Sequence, residues 1–479
     1  MSALVSFPLW LVLIAGALAL FGLVDRILTP SLKWFLQRRA NRAIDELNTR
    51  LRLKIRPFKM TARRVLIDRL AHDPEVMAAV EAHAKSEKMP LSVAAELVQR
   101  YAAEIVPAFS AYTYFKVGAK LAQWLSKALY RVRLGYMNAE ALEKIDSEAA
   151  VIFVMNHRSN MDYVLVTYMA SSQTALSYAV GEWARIPVLQ QLIRSMGAYF
   201  IRRASRDQLY RKVLARYVQM STEAGVTQAI FPEGGLSRDG RLRPVKLGLI
   251  SYILDGWRPQ SRDVVFVPVG LNYDRVLEDR SLVAEIDGPP PKIAMSRKIA
   301  EALSFLGKNF WLRVSGRYYR FGYASVSFGA PRSLRQFFKE QKVKDFHKAS
   351  EAKQTSLVAS LGEELMADVA KVIPALPVSL VATALMEADG NGISLPALKA
   401  KVAALIDLLE EKNAHVHVPR KDRDYAVTAG LRSLVSRHIV SEDAGGVFRV
   451  GQGEERLVAY YANAIAHHFA SKTSLKASS

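Results

Sequence analysis

The hydrophobic pattern of the chain changes three times. From Ala3 to Val24 it is continuous, 22 residues without a charged side chain. At 1.5 Å per residue such a helix is about 33 Å long, enough for a hydrocarbon layer of about 30 Å. Residues 1–25 are therefore predicted to form a membrane anchor helix. A cleaved signal peptide is the rival, because Ala17-Leu18-Ala19 has the small-x-small form. The segment has no basic leader, however, and its apolar run is long for a signal peptide. Residues 65–135 carry the three-and-four spacing of amphipathic helices, as in Val93, Leu97, Val98, Tyr101 and Ile105. Pro74 and Pro90 mark helix starts, and Pro107 limits the helix that contains Ile105.

Residues 136–345 change character. Short apolar runs, Val151–Met155, Leu176–Val180, Ala198–Ile201, Gln228–Phe231 and Val264–Val267, alternate with helical stretches such as Asp207 to Ala224. That alternation predicts an α/β domain with a mostly parallel sheet, buried on both faces. In such folds ligands bind beyond the carboxyl ends of the strands. Residues 346–479 return to a helical pattern, with Gly445-Gly446 between short apolar runs as a β-hairpin signal. The predicted organisation is an anchor (1–25), a basic and helical region (26–135), the α/β domain (136–345) and a mainly helical carboxyl-terminal region (346–479).

Composition narrows the partners. At 479 residues the chain exceeds one compact domain, and 50% hydrophobic against 23% charged residues excludes a disordered one. It has no cysteine, which removes disulfides, thiolate metal sites and cysteine nucleophiles. The net charge of +21 asks for an anionic partner. Residues 26–64 hold twelve Lys or Arg against Asp45 and Glu46, a net +10. Positive flanks stay cytoplasmic, so the anchor places the rest of the chain on the cytoplasmic side of an anionic leaflet. A nucleic-acid arm is the weaker reading of this stretch, since it adjoins a spanning helix.

The candidate chemistry sits where strands end. The first strand runs into Asn156-His157-Arg158-Ser159-Asn160-Met161-Asp162. On a regular helix His157 and Asp162 would point about 140° apart. A strand, a turn and a helix start near Asn160 instead let the carboxylate fold back onto the imidazole. That contact fixes the tautomer and leaves the second ring nitrogen free as a base. The next strand end carries Arg202-Arg203, which suits a phosphate. The third is Phe231-Pro232-Glu233-Gly234-Gly235-Leu236-Ser237-Arg238. Its glycines let backbone N–H groups approach an oxyanion, Glu233 can accept from a hydroxyl, and Arg238 can meet a phosphate. Arg241, Arg243 and Lys246 follow, and residues 194–246 carry a net +7. In the fourth, Val267-Pro268-Val269, Pro268 is expected to end or bulge a strand.

These four segments, in this order, resemble the motif blocks of the glycerolipid acyltransferases, whose signature is His-x4-Asp. Within that family Asn-His-Arg-Ser-x-Met-Asp-Tyr from Asn156, Phe-Ile-Arg-Arg before Leu209-Tyr210-Arg211, and Tyr273-Asp274-x-Val276-x-Glu278 are similar to the bacterial membrane-bound glycerol-3-phosphate acyltransferases. So is Tyr460-Tyr461-Ala-Asn463-Ala-Ile465-Ala466-His467 near the end. The resemblance implies acyl transfer from acyl-CoA or acyl carrier protein to the sn-1 hydroxyl of glycerol 3-phosphate, in phospholipid synthesis at the bacterial inner membrane. By analogy His157 is the base and Asp162 orients it. Arg202 or Arg203, Glu233 and Arg238 bind the acceptor, with Gly234, Gly235 and Ser237 in the same turn. Pro268 shapes the acyl or substrate pocket. No metal or resident cofactor is implied, and membrane lipids are the expected partner.

One position departs from the family. The third block usually reads Glu-Gly-Gly-Arg-Ser-Arg or Glu-Gly-Thr-Arg-Ser-Arg, and Leu236 replaces its first arginine. The loss is one charge-assisted bond, about 1.5–3 kcal/mol, unless Arg241, Arg243 or Lys246 compensates. The departure keeps dihydroxyacetone phosphate and lysophosphatidate in view as acceptors, and a non-catalytic membrane scaffold as a different class. A nucleic-acid binder built on residues 375–479 lacks a marked basic excess there.

Overall fold

Strands form where the short apolar runs lie, and they meet in one mixed sheet. A computed structural model describes residues 51, 53–171, 173–181, 187–202, 205–288, 321–388 and 391–469. The expected anchor and most of the basic stretch behind it lie outside the described residues. Among those residues no helix is long and apolar enough to cross a membrane. The chain divides into residues 1–55 and residues 56–479, and the fold below is that of the second unit.

The sheet contains β1 (Arg131–Met137), β2 (Ala150–Met155), β3 (Ser177–Val180), β4 (Tyr199–Phe200), β5 (Gln228–Ile230), β6 (Val264–Tyr273), β7 (Tyr323–Phe328) and β8 (Arg332–Ser333). Their order is β1-β7-β6-β2-β5-β3-β4, with β8 on β6. Strands β6, β2, β5, β3 and β4 run parallel to one another. Strand β7 is antiparallel to β6 and parallel to β1. The central strands are buried along their whole length, as a two-sided sheet requires.

Two expectations are corrected here. The helical pattern expected up to residue 135 stops earlier, because β1 begins at Arg131 and is exposed along most of its length. Strand β6 also runs straight through Pro268. A strand residue's C=O and N–H point to the same side, and the Pro268 carbonyl accepts from Gly329 N at 2.8 Å. The missing N–H would therefore face that side. There β8 pairs with Val265 and Phe266 and β7 pairs only from Val269 onward, so the proline stands in a gap and removes no ladder bond.

Helices cover the sheet: α1 (Pro74–Ser86), α2 (Leu91–Ile105), α3 (Ala119–Leu129), α4 (Met161–Ala170), α5 (Gln208–Glu223), α6 (Gly248–Gly256) and α7 (Glu351–Val372). Asp73 caps α1, with Pro74 at its first position, and Asp207 caps α5 through Tyr210 N. Val80, Ile105, Val213, Ile253 and Leu365 from five of these helices share one core with Ile152, Ile230 and Phe266 of the sheet. Helices α8 (Pro377–Met386), α9 (Leu395–Glu411), α10 (Arg423–Val435) and α11 (Glu455–Asn463) follow. The expected hairpin is β10 (Val440–Glu442) with β11 (Val447–Val450), and β9 (Ile393–Ser394) adds a third strand to it.

Candidate active site

The end of β2 is extended by one side chain. Asn156 Nδ2 donates to the Leu271 carbonyl at 2.9 Å, and its Oδ1 accepts from Leu271 N at 2.8 Å, so the residue before His157 is pinned to β6. The chain then turns, and Asn160 begins α4. Asp162 lies in the first turn of that helix, where the backbone dipoles favour a carboxylate. Its Oδ2 accepts from His157 Nδ1 at 2.8 Å, Arg158 N at 2.7 Å and Ser159 N at 3.1 Å. Its Oδ1 accepts from the Tyr273 hydroxyl at 2.7 Å. Four donors thus fix one carboxylate, and both His157 and Asp162 are buried. Since Asp162 accepts, Nδ1 carries a proton, and in the neutral ring the lone pair is then on Nε2. Nε2 is buried without a partner among the described residues. The imidazole packs against Phe231 at 4.2 Å and edge-on to Tyr163 at 5.4 Å.

The glycine turn after β5 holds the same histidine by its backbone. Glu233 Oε1 accepts from His157 N at 2.8 Å, and Oε2 accepts from Arg243 N at 3.0 Å. Ser237 N donates to the His157 carbonyl at 3.1 Å. Burial pushes the Glu233 carboxyl up to about 7, against the pull of the Arg158 charge and the two amides. Both Glu233 oxygens are therefore spent on backbone donors, and its place is behind His157. Gly234 has φ +66°, and a Cβ there would stand 2.5 Å from Lys246 Cδ, because the Lys246 side chain lies across the turn. The Ser237 hydroxyl donates to the Arg241 carbonyl at 2.6 Å and closes the loop.

The other expected residues scatter around this centre. Arg238 is half exposed and meets Glu285 Oε2 at 3.1 Å. Lys246 is exposed. Arg202 donates to both Glu104 oxygens, from 2.6 to 3.2 Å, and lies by the rings of Tyr101 and Tyr210. It follows β4, three strands from β2, or about 14 Å at ~4.8 Å per strand. Arg203 lies outside the described residues. Pro268 pairs with Val154, inside the sheet. The structure thus joins His157, Asp162, Glu233, Gly234, Ser237 and Lys246 at the ends of β2 and β5, and leaves Arg202 at the sheet's far side.

Several contributors carried no assigned role in the sequence. Tyr273 holds Asp162. Glu278 accepts from the Ser159 hydroxyl at 2.7 Å and from Asn160 N and Nδ2 at 3.2 and 3.0 Å, bracing the start of α4. The Tyr273-to-Glu278 motif was the available signal, though not for these bonds. Buried Arg158 donates to the carbonyls of Gly240 and Ala464, the latter at 3.1 Å, and so ties the histidine segment to the end of α11. A Cβ at Gly240 would meet the Tyr460 carbonyl at 1.9 Å, which shows how closely α11 packs on the loop after the glycine turn.

Residues 137–272 match the family model described as Acyltransferase, and residues 311–478 match that of the glycerol-3-phosphate acyltransferase C-terminal region. A curated glycerol-3-phosphate acyltransferase of Pseudomonas putida KT2440 is 29% identical over 424 residues, 85% of this chain and 49% of that protein. One of Aeromonas hydrophila is 29% identical over 427 residues, 86% of this chain and 51% of that protein. The chain spans about half the length of the curated relatives it matches. A solved 1-acyl-sn-glycerophosphate (LPA) acyltransferase of Thermotoga maritima is 19% identical, covers 53% of this chain and 78% of its own, and has a TM-score of 0.29.

Proposed function

We propose that this chain, which belongs to the glycerolipid acyltransferase family marked by the His-x4-Asp motif, acylates the sn-1 hydroxyl of glycerol 3-phosphate. The acyl group comes from a thioester, acyl-CoA or acyl carrier protein, and the product is 1-acyl-glycerol 3-phosphate. The observation that carries the reading is the buried 2.8 Å bond from His157 Nδ1 to Asp162, which orients the ring and leaves Nε2 without a partner among the described residues.

Nε2 takes the proton of the sn-1 hydroxyl as its oxygen attacks the thioester carbonyl. Asp162 keeps the ring oriented and stabilises the imidazolium that forms. Gly234 N donates to the Phe231 carbonyl at 3.0 Å, so within this turn the Gly235 N–H is assigned to the oxyanion of the tetrahedral intermediate. The C–S bond then breaks, and the departing thiolate takes the proton from Nε2. A burial this complete excludes water, which would otherwise hydrolyse the thioester, and it requires the packing around the ring to open when substrates enter.

Arg238 and Lys246 hold the phosphate. A dianion outcompetes Glu285 for the half-exposed Arg238, since exposed ion pairs are worth about 0–1 kcal/mol. Arg243 Nη1 stands 3.4 Å from the Leu236 carbonyl, so a guanidinium is available beside the position where the family carries an arginine. Arg202 reaches the phosphate only by leaving Glu104. The apolar run Ala3 to Val24 and the basic stretch after it hold the chain on the cytoplasmic face of the inner membrane, where the product partitions.

An acceptor panel tests the reading. Purified full-length protein is given glycerol 3-phosphate, dihydroxyacetone phosphate or lysophosphatidate with labelled acyl-CoA or acyl carrier protein. Glycerol 3-phosphate is expected to be acylated fastest, at the sn-1 oxygen. Preference for either other acceptor overturns the substrate, and no transfer to any overturns the reaction.

A further inference from the structure

Helix α3 has two apolar faces, and the fold buries one. Ala119, Ala122, Ser126 and Leu129 turn inward. Val117, Leu121 and Trp124, at spacings of four and three, line a second stripe on the outside, and Tyr112 precedes it. They are 43%, 45%, 58% and 72% exposed. A π-helical turn, Thr113–Gly118, leads into α3 and buries Tyr114 and Gly118 while Lys116 and Val117 stay outside. A helix side that met only water would be polar along this stripe.

The charge around the stripe has one sign. Lys116, Lys120 and Lys127 are exposed along its border. From residue 105 to residue 139 the chain carries five Lys or Arg (these three with Arg131 and Arg133) and no Asp or Glu. Exposed Trp and Tyr, an aliphatic stripe and a cationic border without acids are what an anionic lipid surface accommodates. The rings sit at headgroup depth, the stripe enters the acyl boundary, and the lysines meet phosphates.

We propose that the face formed by Tyr112, Val117, Leu121 and Trp124, edged by Lys116, Lys120 and Lys127, lies on an anionic lipid bilayer. This goes beyond acyl transfer and does not depend on it. It is distinct from any anchor at the amino terminus, because it commits the described body of the protein to one orientation at the membrane.

The absence of cysteine makes the test direct. Leu121→Cys in the full chain takes a single environment-sensitive fluorophore, and Lys353→Cys, exposed on α7, takes the same label as the control. Vesicles of phosphatidylcholine with phosphatidylglycerol are expected to blue-shift and brighten the label at 121 and leave that at 353 unchanged. Lipid-borne quenchers then extinguish only the label at 121, and phosphatidylcholine vesicles alone give a weaker response. No change at 121 while the protein floats with the vesicles overturns the proposal. So does an equal response at both positions, or a response at 121 to acidic carrier protein but not to vesicles. None of these readouts involves turnover, so failure here is separable from failure of the acyl-transfer reading.

Discussion

The histidine–carboxylate pair and the cations around it are built in opposite ways. His157 and Asp162 are sealed, and their backbone and side-chain groups are tied to Glu233, Ser237 and Tyr273. Arg238 and Lys246 are open to water, and among the described residues Arg238 pairs with Glu285. On the proposed reaction, the difference follows from the two tasks. Proton transfer tolerates little error in position, so its groups are over-determined. A phosphate is a diffuse double charge, and mobile cations reach it from many positions, so a rim residue such as Leu236 can change while a neighbour supplies the charge.

Substitutions in the two regions should therefore separate sharply. His157→Ala is expected to lower kcat by about 10²–10⁴, and a variant keeping a tenth of wild-type turnover would break the comparison at its strongest point. Asp162→Asn removes the charge that stabilises the imidazolium, and should approach the same loss with the acceptor KM little changed.

Glu233→Gln comes next. One amide end then faces a backbone N–H, which costs about 1–3 kcal/mol, read as a lower Tm. The pH dependence has a defined sign. Burial raises this carboxyl from 4.5 to about 7, so between those values the folded state binds more protons than the unfolded state. Its contribution to stability therefore falls as pH rises through that window. Buried Asp274, also raised to about 7, acts in the same direction. Melting curves of Glu233→Gln should show a shallower decline than wild type across the window; an unchanged slope would remove Glu233 as its source.

Smaller effects sharpen the contrast. Tyr273→Phe removes one donor of four and should cost about 1 kcal/mol, a several-fold drop in kcat. Arg238→Ala and Lys246→Ala should raise the acceptor KM and leave kcat and Tm nearly unchanged, as loss of ground-state binding does. Glu285→Gln, which frees Arg238, should lower that KM slightly. If the rim variants reduced kcat as His157→Ala does, the division between sealed pair and open rim would be mistaken.

What the sequence disclosed follows the range of the interaction. The strands β2, β5 and β6 were legible because burial on both faces demands unbroken apolar runs. The His157–Asp162 contact was legible because five residues and a helix start suffice to close it. The exposed alternation of β1 gave no apolar run, and β7 has buried Ser325 and Ser327 within it. Pro268 misled because its fit depends on a gap between two strands far along the chain. Glu233 suggested a ligand for hydroxyls, yet its partners, His157 N and Arg243 N, depend on how two strand ends meet. Arg202 suggested a phosphate clamp, and its carboxylate partner Glu104 comes from a helix in another part of the chain. Arg158 beside the histidine gave no hint that its guanidinium reaches Ala464.

The tautomer of His157 tests the central claim most directly. In protein labelled with nitrogen-15 at histidine, the ring spectrum of the folded, substrate-free protein should show, for the neutral imidazole, the proton on Nδ1 and the lone pair on Nε2. A neutral ring that carries its proton on Nε2 would contradict the account.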